Sequence, residues 1–255
     1  MNPVKRRAEI VTIIRKQNRV SVDELAQRLN ISRETIRRDL SELSQNGKIH
    51  KFHGGASMPR IIGEGPFLHR MSEHVAEKVR IADEAVKLVS PGETLFLDTG
   101  STTLYFAEKL TEISNITVVT NSAEIARTLS LGDQHTKTFL LGGEFNGDNR
   151  QTVGTIAIEQ IQSFRAHHVF LTIGALDART GIMDFCINEA QIARSMIKQA
   201  ESVTVLADQS KFERIASFEV CSLQSVNNLV CDALPSKSIH AALEEAGVSV
   251  FVAPE

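Results

Sequence analysis

The stretch SVDELAQRLNISRETIRRDL, residues 21–40, decides the fold at the start of this chain, and the basic segment KIHKFHGG, residues 48–55, completes it. Ser21 and Glu24 have the S-x-x-E spacing of a capping box, which predicts that a helix begins there. An Asn-Ile pair then interrupts the helical pattern, and Ser32 is placed to cap a further helix. Two short helices joined by a tight turn are the expected result.

The neighbouring residues extend this pattern on both sides. Residues 6–17 carry isoleucines and a valine on one side of an amphipathic helix, and Ile36 and Leu40 begin a buried stripe on the third helix. Residues 48–53 alternate basic and apolar side chains, which is typical of a β-strand. We therefore predict a winged helix-turn-helix over residues 1–57.

The face of the third helix opposite its buried stripe is the candidate DNA-reading surface. Arginine on this face can bind guanine bidentately or contact a phosphate, and threonine offers a methyl group and a hydroxyl to base edges. The alternative is a solvated helix face without a partner, as in most charge clusters. The candidate DNA-binding residues are Ser32, Arg33, Glu34, Thr35, Arg37, Arg38 and Ser41 on the helix, and Lys48, His50, Lys51 and His53 in the wing.

Charge is distributed unevenly along the chain. Residues 1–60 contain 13 Lys and Arg against 6 Asp and Glu, a net charge of +7, whereas the remaining residues contain 15 against 25, a net charge of −10. An excess of cations on a small domain is the electrostatic pattern of phosphate-backbone binding. Because the caps, the turn and the basic strand occur together, double-stranded DNA is the favoured partner.

Composition places the chain among soluble globular proteins. Hydrophobic residues make up 42% and charged residues 23% of the 255 positions, and no apolar run approaches the roughly 20 residues that cross a bilayer. The charged N-terminus lacks the apolar block of a signal peptide, so we expect a cytoplasmic protein with three reduced cysteines. The Cys and His spacings are not those of a metal site, and neither a metal nor another cofactor is expected.

From residue 72 the pattern changes to alternating helices and short apolar strands. Residues 58–71 contain two prolines, two glycines and few periodic apolar residues, which is typical of a linker. The alternation over residues 72–255 predicts an α/β domain with a mostly parallel sheet covered on both faces. Strands are predicted at 94–97, 116–120, 138–141, 169–173, 203–207, 228–230 and 248–252, and helices at 72–89, 102–112, 123–129, 154–162, 189–201 and 237–246.

Small and polar turns follow five of these strands. Ligands of parallel sheets bind beyond the carboxyl ends of the strands, so the turns together predict one polar pocket. The turn 98–103 opens a helix, and its amides and hydroxyls can converge on an anion, but it lacks the lysine of a P-loop and does not favour a nucleoside triphosphate. Taken singly, each turn is also explained by chain reversal or helix capping. The other turns are Asn121-Ser122, Gly142-Gly143-Glu144, Gly174-Ala175 and Asp208-Gln209-Ser210-Lys211.

The motifs and their order resemble the DeoR family of bacterial transcription regulators. The resemblance implies a winged helix-turn-helix joined to a sensor domain similar to ribose-5-phosphate isomerase and the CoA-transferase-like folds. It also implies a repressor of carbohydrate-utilisation genes that a phosphorylated sugar or related metabolite releases from its operator. The residues that carry it are 21–43, GKIHKFHGGA at 47–56, LDTGSTT at 97–103, VVTNS at 118–122, LLGGE at 140–144, NEAQIARSMI at 188–197 and ADQSKF at 207–212.

The resemblance assigns an effector site as well. Residues 100–103 match the family's phosphate-binding loop, Lys211 matches the lysine of a D-x-S-K turn, and Glu189 matches an acidic residue at a helix start. We expect Lys211 to balance the phosphate charge, and Asp98 to bind sugar hydroxyls or hold the loop. The complete candidate set is Asp98, Gly100, Ser101, Thr102, Thr103, Asn121, Gly143, Gly174, Glu189 and Lys211.

An active sugar-phosphate isomerase with a DNA-binding head is the alternative, with Glu189 as its general base. The isomerases that this fold resembles place a lysine and a run of glycines ahead of that glutamate, whereas this chain reads LDARTGIMDFCINEA at 176–190 and retains only Asp177 and Asp184. Binding without turnover is therefore favoured. A homo-oligomer, dimer or tetramer, is expected because helix-turn-helix proteins present paired recognition helices to repeated half-sites.

Overall fold

The structure is a computed structural model that describes residues 2–17, 19–45, 49–52, 54–57, 63–132 and 136–254. The chain divides into two compact units, residues 1–62 and 63–255, and each is described by itself. None of the described helices combines the length and the apolar character needed to span a bilayer.

The N-terminal unit is built from short helices and a small antiparallel sheet. Its elements are α1 Pro3–Gln17, β1 Arg19–Ser21, α2 Val22–Leu29, α3 Arg33–Gln45, β2 His50–Phe52 and β3 Gly55–Ser57. β3 pairs with both other strands, so β1, which was not predicted, completes the wing. The predicted caps are confirmed, because Ser21 Oγ accepts from the Glu24 amide at 3.1 Å and Ser32 Oγ from the Thr35 amide at 3.2 Å.

The predicted apolar stripe of α3 forms the core of this unit. Ile36 and Leu40 are fully buried, and Ile10 and Ile14 of α1 pack into the same cluster. Asn30 ends α2 in the left-handed conformation, with φ of 51°, which Asn tolerates better than most residues. The turn between α2 and α3 therefore forms as the sequence predicted.

The second unit, which we call the sensor unit, alternates strands and helices. Its helices are α4 Phe67–Ser72, α5 Val75–Ala85, α6 Ser101–Leu110, α7 Ala123–Ser130, α8 Thr155–Ile161, α9 Ile187–Ile197 and α10 Lys237–Glu245, with 3-10 turns at Val86–Leu88, Gln209–Lys211 and Leu223–Ser225. Its strands are β4 Thr94–Leu97, β5 Thr117–Thr120, β6 Lys137–Leu140, β7 Glu144–Asn146, β8 Gln151–Val153, β9 Ala166–Thr172, β10 Ala175–Asp177, β11 Gly181–Asp184, β12 Ala200–Ala207, β13 Phe218–Cys221, β14 Asn228–Cys231 and β15 Ser249–Val252.

A seven-stranded parallel sheet of order β15-β14-β12-β9-β4-β5-β6 forms the centre of the sensor unit. Successive residues of a buried strand point to opposite faces, so Phe96 packs in one core cluster while Leu95 and Leu97 pack in another. Helices α8, α9 and α10 cover the first face, and α5, α6 and α7 cover the second. The predicted α/β class with a sheet buried on both faces is confirmed.

The sequence did not predict every element of this unit. The predicted helix 189–201 was wrong at its end, since α9 stops at Ile197 and β12 begins at Ala200. The hairpin β7-β8 and the small sheet β10-β11-β13 had no strand signal. The segment predicted as linker, residues 58–71, lies partly outside the described residues; within it, Phe67 starts α4 and is buried in the core beneath α6.

Candidate functional site

The exposed face of α3 presents the arginines that the sequence singled out. Arg37 and Arg38 are exposed, and the salt bridges found among the described residues include neither of them. Glu34 is exposed on the same helix, while Thr35 and Ser41 are partly buried. An arginine without an internal carboxylate keeps its donors available for phosphate or a base edge.

The other candidate DNA-binding residues stand in local interactions. Arg33 pairs with Asp23 over 2.7 Å, and Lys51 Nζ donates to Ser41 Oγ at 2.8 Å. His50 belongs to β2. Lys48 and His53 lie outside the described residues.

A buried carboxylate joins α1 to α3 behind this face. Asp39 is 1% exposed and accepts from Arg6 Nε at 2.5 Å and from Arg7 Nε at 3.1 Å. Burial acts to raise the pKa of Asp39, but the hydrogen bonds from both arginines outweigh it, and the pKa is lowered. The ion pairs fix the orientation of the helix whose opposite face is exposed.

In the sensor unit, the strand order reverses between β4 and β9. The chain runs from β4 to β5 and β6 on one side, and from β9 to β12, β14 and β15 on the other. Such a switch point creates a crevice at the carboxyl ends of the strands, where ligands of open parallel sheets bind. Asp98 follows β4 and accepts from the Thr172 amide at the end of β9 at 3.0 Å. The predicted loop therefore lies at the switch point.

The loop residues 99–103 are buried. Thr103 Oγ1 donates to the carbonyls of Asp98 and Gly100, at 2.9 and 3.2 Å, so its hydroxyl holds the loop. A Cβ on Gly100 would lie 2.0 Å from Thr172 Oγ1, so the space that this glycine leaves open is filled by a strand side chain. A bulky residue at position 100 would thus disturb β9, and it is not a clean probe of ligand binding.

An ion-pair bridge that the sequence did not predict joins three charged side chains of the sensor unit. One carboxylate oxygen of Glu64 pairs with Lys211 Nζ, and the other accepts from Arg70 Nη1 at 2.7 Å. All three side chains are at most 16% exposed. Arg70 and Glu64 fall in the stretch predicted as linker. Their charge close to Phe67 in the sequence was the one feature there that could have indicated a functional role. Lys211 was predicted, but its carboxylate partner was not.

Three carboxyl groups lie near this bridge, from the loop after β4, the end of β11 and the start of α9, and the charge of Glu64 acts to raise the pKa of each. Burial and the neighbouring carboxylate of Glu189 raise the pKa of Asp184 to about 7. Burial also raises the pKa of Glu189, although Arg70 and hydrogen bonds from Gln151 and Asn149, each 2.6 Å long, act in the opposite direction. Burial raises the pKa of Asp98 well above its usual range.

The remaining candidates serve the local structure to different degrees. Asn121 Nδ2 donates to Gln151 Oε1 at 3.1 Å, which connects it to Glu189 through Gln151. Gly143 has φ of +138°, and a Cβ there would lie 2.6 Å from a backbone oxygen, while a Cβ on Gly174 would meet the Phe185 ring at 2.8 Å. Gly143 is therefore required by the conformation of its turn, and Gly174 by its close packing against Phe185.

Several buried polar atoms at the site have no hydrogen-bond partner among the described residues. They are Arg70 Nε, Thr99 Oγ1 and Asn121 Oδ1. Such atoms are uncommon in protein interiors, because leaving a buried donor or acceptor unpaired costs roughly 1–3 kcal/mol. These three residues therefore retain hydrogen-bonding capacity for a polar ligand.

Lys78 adds a further buried cation. It is 3% exposed, and its Nζ donates to the carbonyls of Arg70 and of Glu73, the latter at 2.8 Å. Burial lowers its pKa, while Asp208 acts to raise it. Lys78 thus fixes the backbone that carries Arg70. The site combines three cations with acidic and amide groups, which suits an anionic, hydroxyl-rich ligand.

A basic winged helix-turn-helix and an α/β unit with a charged site at its switch point define the class: a DNA-binding transcription regulator with a sensor domain. Two family models match the chain, the DeoR-like helix-turn-helix domain over residues 6–61 and the DeoR C terminal sensor domain over residues 73–233. The chain belongs to the DeoR family.

Relatives of nearly the same length support this assignment. The chain is 31% identical over 245 residues to the glycerol-3-phosphate regulon repressor of Escherichia coli K12, covering 96% of this chain and 97% of the relative. It is 32% identical over 251 residues to the HTH-type transcriptional regulator GlpR of Haloferax volcanii, covering 98% of each. It is 27% identical over 250 residues to the HTH-type transcriptional repressor CsqR of Escherichia coli K12, with coverages of 98% and 95%.

Solved structures resemble the chain over part of its length. Ribose 5-phosphate isomerase A of Methanocaldococcus jannaschii has a TM-score of 0.39 and 20% identity, covering 53% of each chain. The eIF2B beta subunit of Chaetomium thermophilum has a TM-score of 0.45 and 16% identity, covering 68% of this chain and 54% of that one.

Proposed function

We propose that the chain represses transcription by binding operator DNA through α3 and the wing, and that a phosphorylated sugar or related metabolite releases it. The observation that carries this proposal is the bridge at the switch point, where Arg70 and Lys211 together hold a carboxylate. Two buried cations that converge on one anionic group form a site for an anion. The names of the relatives support repression, and one of them refers to a glycerol-3-phosphate regulon.

The proposed effector contacts follow from this geometry. Lys211 and Arg70 bind the phosphate, assisted by the first amides of α6 at Ser101–Thr103, which lack carbonyl partners within the helix. Asn121 and Glu189, which Gln151 connects, are the proposed contacts for the sugar, because their amide and carboxylate oxygens can accept hydrogen bonds from sugar hydroxyls. Asp98 keeps its contact with Thr172 and holds the loop.

The proposal is tested by measuring operator affinity with and without effector. High-affinity duplexes are first selected from a random library with the full chain, and their affinity is then measured by fluorescence anisotropy across a panel of sugar phosphates. We expect at least one phosphorylated compound, but not its unphosphorylated counterpart, to weaken DNA binding by about fivefold or more. If compounds bind but leave operator affinity unchanged, regulation by the sensor unit is wrong.

Lys211→Ala examines the phosphate contact directly. Removing this cation should weaken a verified phosphorylated effector by roughly tenfold, which corresponds to about 1.4 kcal/mol, and should affect an unphosphorylated analogue much less. Lys237→Ala, at the start of α10, removes the same side chain outside the site and serves as the control. Equal losses for both kinds of compound would place the phosphate elsewhere.

A sugar-phosphate isomerase remains the second candidate because buried carboxyls with raised pKa values, such as Asp184 and Glu189, can shuttle protons. We propose binding without turnover, since the lysine and the run of glycines of the isomerases are missing between Asp177 and Glu189, where Gly181 is the one glycine. Incubation of the purified chain with aldose and ketose phosphates, followed by NMR, decides the question. Conversion that Glu189→Gln abolishes would overturn this choice.

The proposal includes a homo-oligomer, because paired recognition helices supply the specificity of helix-turn-helix proteins. Sedimentation equilibrium of the full chain with and without a selected duplex distinguishes a dimer from a tetramer. A monomer in both samples would contradict recognition of repeated half-sites.

A further inference from the structure

We propose that Glu64 is an internal competitor for the effector: its carboxylate holds Arg70 and Lys211 in the DNA-binding form, and an anionic effector takes both cations from it. The inference rests on the proposed function and concerns the regulation of the same site. It assigns Arg70 as an anion-binding residue and Glu64 as the side chain that the anion displaces.

The geometry of the bridge supports competition. Each oxygen of the Glu64 carboxylate meets a different cation, so the side chain occupies the position that an anionic group of a ligand would take. Arg70 uses Nη1 for Glu64 and Nη2 for Asn149, at 3.2 Å, whereas its buried Nε has no partner among the described residues. A phosphate offers more acceptor oxygens than a carboxylate and can use the free Nε as well.

The electrostatics of the site also favour exchange. The charge of Glu64 acts to raise the pKa values of Asp98, Asp184 and Glu189, which shows that it adds a further negative charge beside existing carboxylates. Arg70 and Lys211 compensate that charge only while the bridge is formed. An incoming anion and Glu64 cannot both be held by the same two cations without strong repulsion.

The backbone around Glu64 allows it to leave. Gly63 and Gly65 flank it with φ of +144° and +79°, and a Cβ at either position would meet nothing within 4 Å. Glycine on both sides gives the segment conformational freedom that other residues lack. Phe67, by contrast, anchors the following helix in the core. Movement of Glu64 is therefore confined to the residues before α4.

The position of Glu64 in the chain connects the bridge to DNA binding. It is the second residue after the boundary at residue 62, so its release frees the end of the sensor unit that continues into the DNA-binding unit. Because ligand and DNA affinities are linked, any change that opens the bridge should lower operator affinity by itself. Glu64→Gln, which keeps the shape but removes the charge, should therefore imitate the effector in part.

The experiment compares Glu64→Gln with the wild-type full chain and with Glu73→Gln, an equal change at an exposed glutamate paired with His69. Inorganic phosphate is the probe, titrated by calorimetry at constant ionic strength. We expect Glu64→Gln to bind phosphate about tenfold more tightly than wild type and to bind the selected duplex about fivefold more weakly without any ligand. Adding Arg70→Gln to either background should remove phosphate binding, and Glu73→Gln should behave as wild type.

A measurement on the unaltered protein guards against a folding defect. Addition of phosphate should increase amide hydrogen exchange at residues 63–65 of wild type, because the bridge opens. Unchanged exchange together with unchanged phosphate affinity in Glu64→Gln would overturn the competitor role. If sugar phosphates nevertheless alter the operator affinity of wild type, the proposed function stands without it. If Glu64→Gln binds phosphate more tightly but neither this substitution nor any sugar phosphate changes operator affinity, competition is supported and the proposed function is wrong.

Discussion

Buried carboxylates occur in both units of this chain, and their surroundings differ. Asp39 in the N-terminal unit is 1% exposed and accepts hydrogen bonds from Arg6 and Arg7, so its pKa is lowered despite burial. Asp184 in the sensor unit is 9% exposed and lies beside Glu189, and its pKa is raised to about 7. Cations fully compensate the first charge, whereas carboxylates crowd the second.

The difference separates a structural charge from a functional one. Two arginines hold Asp39 in one geometry and leave it no role beyond joining α1 to α3. The sensor unit keeps several carboxyl groups close together with cations that hold Glu64, and unpartnered atoms remain among them. Perturbed buried groups in a crevice are typical of functional sites.

The largest expected effect, on the stability of the N-terminal unit, comes from removing the negative charge of Asp39. Asp39→Asn removes a carboxylate from hydrogen bonds with two guanidinium groups, and we expect the N-terminal unit to lose about 2 kcal/mol of stability, since a hydrogen bond to a charged group contributes roughly 1.5–3 kcal/mol. Amide exchange in α1 and α3 of the full chain measures the loss. Glu42→Gln, at a more exposed partner of Arg7, is the control and should change little. Equal protection in all three proteins would show that the pair contributes nothing.

The next effect concerns arginines that have no internal carboxylate. Arg38→Ala should weaken operator binding by roughly 1–3 kcal/mol at particular base pairs if it reads guanine, or uniformly across sequences if it contacts phosphate. Arg127→Ala, which removes an exposed arginine of the sensor unit, is the matched control. Anisotropy titrations on selected and scrambled duplexes distinguish the two modes. Unchanged affinity in both Arg37→Ala and Arg38→Ala would exclude this face of α3 from the interface.

Elements of the fold could be predicted from the sequence where local interactions determine them. The caps at Ser21 and Ser32 and the stripe at Ile36 were predictable, because a cap bonds to an amide three residues away and a stripe follows helical periodicity. The parallel strands were predictable from apolar runs between helices. The hairpin β7-β8 was missed because its strands are three residues long and the first is exposed.

The candidate site was only partly predictable for the same reason. Asp98 and Lys211 were found because they follow strands, and the topology brings strand ends together. Glu64 and Lys211 are 147 residues apart, and Asn149 reaches Glu189 across 40, so no local pattern marks either contact. Gly100 was predicted to bind effector from the match to the phosphate-binding loop. The structure adds that its missing side chain makes room for Thr172, a residue 72 positions away, and only the fold reveals this contact.

A smaller effect tests the crowded carboxylates through pH. The folded state keeps Asp184 protonated up to about pH 7, whereas in the unfolded chain it ionises near its ordinary value, 3.8. The folded state therefore binds the extra proton between these values, and the free energy of unfolding falls as pH rises through that window. Asp184→Asn should remove this slope and raise Tm at pH 8 by roughly 2–4 °C, with little difference at pH 4.

Asp177→Asn is the matched control, because Asp177 lies on the neighbouring strand and has a pKa that hydrogen bonds from Arg179 and Thr180 lower. Its stabilising contribution is present above the ordinary pKa and is lost as pH falls, so the substitution should lower Tm at pH 8. Opposite signs for the two variants support the assignment. A lower Tm for both at pH 8 would show that Asp184 is compensated in the same way as Asp39.

The smallest expected effect compares two threonines of the loop at the switch point. Thr103 Oγ1 donates to two backbone carbonyls, whereas Thr99 Oγ1 is buried without a partner among the described residues. Thr103→Val should cost roughly 1 kcal/mol of stability, because it leaves those acceptors with one donor fewer. Thr99→Val should leave Tm unchanged or slightly higher, since it removes an unsatisfied hydroxyl, but should weaken a verified effector by about twofold to tenfold if that hydroxyl contacts the ligand. Thermal melts and calorimetric titrations of both variants give the comparison. Loss of stability in Thr99→Val with unaltered effector affinity would make its hydroxyl structural and remove Thr99 from the site.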